Sequence, residues 1–410
     1  MIGPHEATAA ILARARALPA ERVPLAGARG RFLASALSAR ADDPPFDASA
    51  MDGYAVRAAD VAGASAAQPV RLAVVGESRA GRGAARGVGP GEAIRIFTGA
   101  ALPDGADAVV MQEDTRREGA DVEILLAAHP GKHARRRGEV LRAGAPLLDA
   151  GVAIGVPELA VAASQGYAML PVHRRPRVAI LSTGDELREL GAPVEDGAIV
   201  DSNAYALAAA VREAGGVPEL LPLGADTREA LDALVARGLA ADLLLSTGGV
   251  SVGDYDLVHA AFEAAGVEEV FWKVAIKPGK PVRFGVGPRG ALAIGLPGNP
   301  VSALVTFELF ARPALRAMLG DPRPHRRKLR VRLARPLAAP PTRTELYRAR
   351  LDSDLAVPAH SGSSSDLTTM LGLDALLVLP AGAGELVEAD ALDVRGGRGA
   401  ARSPLAPSDE

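Results

Sequence analysis

Three short apolar runs constrain this chain more than any other feature. RVAILSTG at 177–184, DLLLSTGG at 242–249 and ALAIGLPG at 291–298 each end in a glycine turn. Continuous apolar runs bounded by turns read as strands buried on both faces. Helical patterns lie between and after them. Residues 202–214 begin at Asp201-Ser202-Asn203, a strong capping combination, and 227–238, 255–265 and 300–318 follow. GVPELLPLG at 216–224 supplies a further strand. Strands alternating with helices of this length predict a parallel, doubly wound α/β domain over 176–322.

The flanks read differently. Ile11, Leu12, Ala15 and Leu18 fall at helical spacing within 4–18. Strand-like runs at 70–75, 92–97, 106–111 and 122–126, separated by turns such as LPDGAD, predict a small β domain. A polar connection at 129–147 leads to a helix starting near Pro157. Beyond the linker DPRPHRRK, the runs KLRVRLARPL, ELYRARLD, DALLVLP and ELVEADALDV predict a second β domain. The tail, 397–410, lacks apolar content and is expected to be disordered. The fold class is therefore α/β and β multidomain.

Composition removes several kinds of chemistry. There is no cysteine, which excludes disulfides, zinc–thiolate and iron–sulfur sites, and thiol nucleophiles. The seven histidines show no metal-site spacing. A net charge of −3 gives no sequence-wide field for nucleic acid or acidic membranes. No run approaches 18 apolar residues, and the N-terminal stretch has no signal-peptide core, so a cytoplasmic protein is expected.

In open α/β sheets ligands bind beyond the carboxyl ends of the strands. Three such ends carry unusual loops: Ser182 to Glu186, Ser246 to Asp254, and Leu296 to Pro300. Asn299 can cap the last helix and Pro300 suits its first position, which makes either an ordinary helix start or an anion site. The small polar loop STGGVSVGD lets a ligand approach the backbone, although it is not a P-loop. The acids Asp185, Glu186, Asp201, Asp226 and Asp254 lie near these ends, which suits magnesium beside a phosphate; capping and solubility are the competing explanation.

FWKVAIKPGKP at 271–281 is the compositional anomaly. The chain has 46 basic residues, only five of them lysine, yet Lys273, Lys277 and Lys280 fall here beside the only tryptophan. Lysine is a compact point charge suited to phosphate or another oxyanion. Phe271, Trp272 and Ile276 argue for partial burial over a merely solvated loop. Asp47, Ser49 and Asp52 in FDASAMDGYAV, and Arg135 to Arg137, stay ambiguous on physical grounds alone.

PPFDASAMDGYAVR, IFTGAALPDGADAVVMQED, RRRGE, LSTGDEL, DSNAYAL, STGGVSVGDYD, FWKVAIKPGKP and GLPGNPVSA occur in the order found in molybdopterin molybdenumtransferases, which the chain resembles over nearly its whole length. The resemblance implies an extended N-terminal domain in two segments (1–45 and 136–175), a small β domain (46–135), the α/β molybdopterin-binding domain and a C-terminal β-barrel-like domain (326–396). It implies insertion of molybdate into adenylylated molybdopterin with release of AMP, assisted by Mg2+ or a similar divalent cation. It implies a homodimer with a cleft shared between subunits, and the adenylyltransferase and molybdoenzyme acceptors as further partners. By the same resemblance Asp52, Glu186, Asp226 and Asp254 would be catalytic and metal-binding, and Lys277 and Lys280 catalytic. Thr98, Arg137, Ser246, Thr247, Gly248, Gly249, Ser251, Lys273, Pro297, Pro300, Arg348 and Ser364 would contact substrate.

One position departs from the pattern: Val140 stands in RRRGEV where the family has an aspartate. Either that carboxylate is dispensable, or another acid such as Asp149 replaces it, or the activity is altered. Related α/β enzymes, such as adenylyltransferases or competence-damage-type nucleotide hydrolases, would lack the SAMDGYAV and KPGKP motifs. A tungstate-inserting paralogue or a molybdopterin-binding scaffold is the remaining alternative.

Overall fold

The computed structural model describes residues 1–224, 227–248, 257–359 and 363–395. The tail expected to be disordered lies outside them. The described chain divides into two compact units: 1–35, 151–156 and 169 onward form one, and 36–150 with 157–168 the other.

The first unit is built on a six-stranded sheet. Its strands are β1 (Arg177–Ser182), β2 (Val217–Leu220), β3 (Leu243–Thr247), β4 (Glu268–Trp272), β5 (Arg283–Val286) and β6 (Leu292–Leu296). The order is β2-β1-β3-β6-β5-β4. The first four in that order are parallel, as expected, whereas β5 is antiparallel to both of its neighbours, β6 and β4. The reason is the connection. A parallel return needs a crossover, usually a helix. Between β4 and β5 there is instead only the lysine-bearing loop, 273–282.

Helices cover both faces, so the domain is doubly wound. Val178, Ile180, Leu243, Leu245, Leu292 and Ile294 pack with α1 (Ser202–Ala214), α4 (Pro300–Thr306) and α5 (Arg312–Met318). Ala179, Leu181, Leu244 and Ala293 pack with α2 (Arg228–Gly238) and α3 (Leu257–Ala264). Fully burying each such leucine, isoleucine or valine contributes roughly 1.5–3 kcal/mol. The helix expected over 300–318 is interrupted by a π-helical turn at Phe307–Ala311. The helix expected to reach residue 18 stops at Leu12. Leu18 still packs against the same core, but its N–H donates to Met318 O at 2.8 Å rather than into a helix. Here tertiary contact overrides periodicity.

The C-terminal part of this unit is a closed five-stranded β-barrel of Lys328–Ala338, Thr344–Asp352, Leu355–Pro358, Ala375–Leu379 and Glu385–Asp393. Closure comes from Thr344–Asp352, which pairs with both Leu355–Pro358 and Ala375–Leu379. The short strand Ile276–Lys277 adds to Thr344–Glu345, so the lysine loop is hydrogen-bonded to the barrel.

The second unit holds a six-stranded sheet in the order Ala108–Met111, Gly53–Val56, Glu92–Ile96, Val70–Ser78, Asp121–Ile124, Thr115–Glu118. Tyr54, Val56, Leu72, Val110, Val122 and Ile124 form its core. Among the described residues no helix is long and apolar enough to cross a membrane.

Candidate functional site

The carboxyl ends of β1, β3 and β6 are held in backbone contact. Thr183 N donates to Thr247 O at 3.1 Å. Gly248 has φ +89, and a Cβ built on it would overlap the Thr183 carbonyl oxygen and stand 3.1 Å from Thr183 Oγ1. A Cβ on Gly298 would lie 3.6 Å from Gly248 Cα. Only glycine fits where Gly248 sits, for both conformation and space. Asn203, in the first turn of α1, fastens two of these loops: its Nδ2 donates to Thr247 Oγ1 at 2.9 Å and to Gly298 O at 2.7 Å. The sequence reading used DSN only as a helix start and missed this bridge. The signal available was an amide just inside a helix already capped by Asp201. Asp201 does cap α1, accepting from Ala204 N at 3.1 Å, and is buried. Beneath the loops the hydroxyls of Ser182 and Ser246 are buried, with no hydrogen-bond partner among the described residues.

Asn299 occupies the N-cap position of α4 but does not cap it with its side chain. Its Nδ2 instead donates to Ser364 Oγ at 2.9 Å, while Val301 N donates to Ser364 O at 3.1 Å. This corrects the expected cap: a partner from the barrel segment takes the amide. Pro300 stands at the start of the helix as expected, and Pro297 is buried. Arg348 is 2% exposed and its Nη2 donates to Ser363 O at 3.2 Å. Burial pulls its guanidinium below the usual arginine range. Ser364 is thus brought to the first turn of α4, and Arg348 to the residue before it, Ser363.

The lysine loop meets the same helix. A Cβ on Gly279 would overlap the Thr306 methyl and lie 3.8 Å from Ser302 O. Lys273 takes a left-handed φ of +68, and its Nζ lies 3.6 Å from the centroid of the Trp272 ring, a cation–π contact. Lys277 Nζ is 2.9 Å from Glu345 Oε1, an acid the sequence reading did not single out. Lys280 is exposed. Of the acids expected at the strand ends, Glu186 is exposed, with its carboxylate turned back over Gly184. Asp226, Gly249, Ser251 and Asp254 lie outside the described residues.

In the second unit Asp52 and Thr98 come together. Asp52 Oδ1 accepts from Thr98 N and from Thr98 Oγ1, both at 2.7 Å. These two bonds, the backbone one first, hold the Asp52 carboxyl below the usual aspartate range. Arg137 sits among acids: its Nε donates to Asp42 Oδ2 at 2.6 Å and its N–H to Asp47 Oδ1 at 2.8 Å. Val140 is 71% exposed, and Glu139 does not take its place, since its carboxylate is turned back to accept from Arg136 N at 2.8 Å.

Among the described residues no three histidine or acidic side chains converge to hold a metal. Of the acids expected to hold a metal, Glu186 and Asp52 are described, each in its own unit, and a carboxylate is the kind of donor that Mg2+ takes.

Known proteins resemble this chain over most of its length. Residues 2–166 match the MoeA N-terminal region (domain I and II), 179–317 a probable molybdopterin binding domain, and 330–395 the MoeA C-terminal region (domain IV). A molybdopterin molybdenumtransferase from Nostoc sp. is 45% identical over 73% of this chain and 70% of its own length. Molybdopterin molybdenumtransferase 2 from Mycobacterium tuberculosis is 42% identical over 87% of this chain and 90% of its own. Among solved structures, a molybdopterin biosynthesis MoeA protein from Pyrococcus horikosii superposes with a TM-score of 0.84 at 33% identity, covering 96% of this chain and 99% of that one. The chain belongs to the molybdopterin molybdenumtransferase family.

Proposed function

We propose that this protein inserts molybdenum into molybdopterin, with molybdate as the incoming oxyanion, adenylylated molybdopterin as the acceptor and AMP as the leaving product. The observation that carries this reading is convergence on one short helix, α4, and the loop that precedes it. The glycine loops of β3 and β6, the Ser364 segment and the lysine loop all meet residues 298–306.

In this reading Ser246, Thr247 and Gly248 line the side of the site that receives the pterin phosphate, continued by Gly249 and Ser251. Lys277 and Lys280 offset the charge of oxyanion and phosphate, and Arg348, Ser364, Pro297 and Pro300 shape the same region. Lys273 contributes positive field while stacked on Trp272. Glu186, with Asp226 and Asp254, would hold Mg2+, which when bound offsets phosphate charge. The assembly is a homodimer in which Asp52, Thr98 and Arg137 serve the cleft of the partner subunit. The four-part domain division belongs to the same proposal, as do a cytoplasmic location, an adenylyltransferase upstream and molybdoenzyme acceptors downstream. Positioning and charge neutralisation account for most of the catalysis, because the chemistry is phosphoryl-type cleavage with ligand exchange at a metal.

Purified protein mixed with adenylylated molybdopterin and Mg2+ is expected to release AMP only when molybdate is added. Pterin binding without AMP release would leave a scaffold in place of an enzyme.

A further inference from the structure

We propose that Glu345 is an internal competitor for Lys277 and thereby sets how tightly the incoming oxyanion is held. The inference rests on reading Lys277 as an oxyanion ligand.

The pair is asymmetric. The Glu345 side chain is 11% exposed, whereas that of Lys277 is 48% exposed. The backbone that carries Glu345 is also fixed. Lys277 and Glu345 are register partners in a parallel pairing, and Thr344 N donates to Ala275 O at 3.0 Å. On its other edge the loop is held by Ile2, whose N–H donates to Lys273 O at 3.2 Å and whose O accepts from Ala275 N at 2.8 Å. Both backbones are pinned, so the Glu345 side chain stays beside Lys277 when an anion arrives.

The Lys277 ammonium has three protons to donate, and Glu345 Oε1 accepts one of them at 2.9 Å. An oxyanion accepting another proton would stand no more than about 6 Å from the Glu345 carboxylate, given ordinary hydrogen-bond lengths. At that separation, even with the full dielectric of water, one negative charge disfavours a dianion by about tenfold in Kd. Glu345 therefore orients Lys277 in the empty site and weakens the occupied one. Exchange of the oxyanion is kept reversible because a carboxylate reclaims the ammonium.

Removing that charge should produce a gain of affinity, an effect a merely structural role would not give. Calorimetric titration of molybdate into the full-length protein is the test. Glu345→Gln is expected to bind molybdate about tenfold more tightly and to lower the molybdate KM in AMP release. Glu345→Met, apolar and of similar length, gives the same readout if the amide is poorly tolerated. Glu345→Asp, which keeps the charge, is expected to stay near wild type. If Lys277→Ala weakens binding while both neutral variants bind molybdate no more tightly than wild type, the competitor role of Glu345 is wrong and Lys277 keeps its role. If Lys277→Ala itself titrates like wild type, the reading of Lys277 fails and this inference fails with it.

Discussion

Gly248→Ala tests whether the strand-end loops are really held at contact distance. Gly248 combines a φ of +89 with a Cβ position that overlaps the Thr183 carbonyl oxygen. Gly290 makes a matched control. It has φ +82, but a Cβ there meets nothing within 4 Å, and it lies in the turn between β5 and β6 at the opposite end of the sheet. Both substitutions carry the left-handed strain of about 1–2 kcal/mol. Only Gly248→Ala adds overpacking, worth about 1–3 kcal/mol, because the obstacle is backbone and cannot rotate aside. The two variants should therefore differ by at least about 1 kcal/mol, or roughly 2–4 °C in Tm for a domain of this size. They should differ more in activity. Relief of the overlap moves Thr247 and Gly248 away from Thr183, which breaks the 2.9 Å bond from Asn203 to Thr247 Oγ1 and shifts the loop facing Gly298. Thermal melting and AMP release, measured on both variants, provide the assay. If Gly248→Ala matches Gly290→Ala in both, the loops have slack and the packing argument is wrong.

Lys277→Ala should lower stability as well as molybdate affinity, because it strands the buried Glu345 carboxylate. The loss should be about 1–3 kcal/mol, below the full cost of an orphaned buried charge because water reaches the site. The double variant Lys277→Ala/Glu345→Gln should recover the melting temperature without recovering molybdate binding. Asp52, whose carboxyl sits below its ordinary 3.8, adds stability that is fully present above that value and is lost as pH falls through its folded-state value. Activity should accordingly show no Asp52 inflection at neutral pH. Thr98→Val should bring the carboxyl back toward 3.8, as read by carboxyl NMR titration. Val140→Asp at a 71% exposed position should leave melting unchanged to within about 0.5 kcal/mol. A sharp rise in its rate of AMP release would mean the natural chain is impaired at this position.

The parallel core was legible because buried strands advertise themselves. Val178 to Leu181, Leu243 to Leu245 and Leu292 to Ile294 are apolar on both faces, and both faces are covered by helices. Strands β4 and β5, which pair antiparallel, were not expected from the sequence at all. Their direction depends on what joins them, and the joining loop was read for its charge. Individual site residues divided along a similar line. Lysines at 273, 277 and 280 stood out because this chain otherwise chooses arginine. Asn203, Glu345 and the turn of Asn299 toward Ser364 did not. Each depends on a partner 44 to 68 positions away, at Thr247, Lys277 or Ser364, and no local pattern encodes a bond of that span. The early stop of the first helix at Leu12 has the same origin, because Leu18 is claimed by Met318.

The most direct measurement is the metal content of the pterin product. Protein incubated with adenylylated molybdopterin, Mg2+ and molybdate would be denatured, the pterin isolated, and molybdenum and pterin quantified together. The account predicts molybdenum bound in proportion to AMP released, and neither in the Lys277→Ala/Lys280→Ala variant. Pterin that emerges without molybdenum, or with as much from the doubly substituted protein, would contradict it.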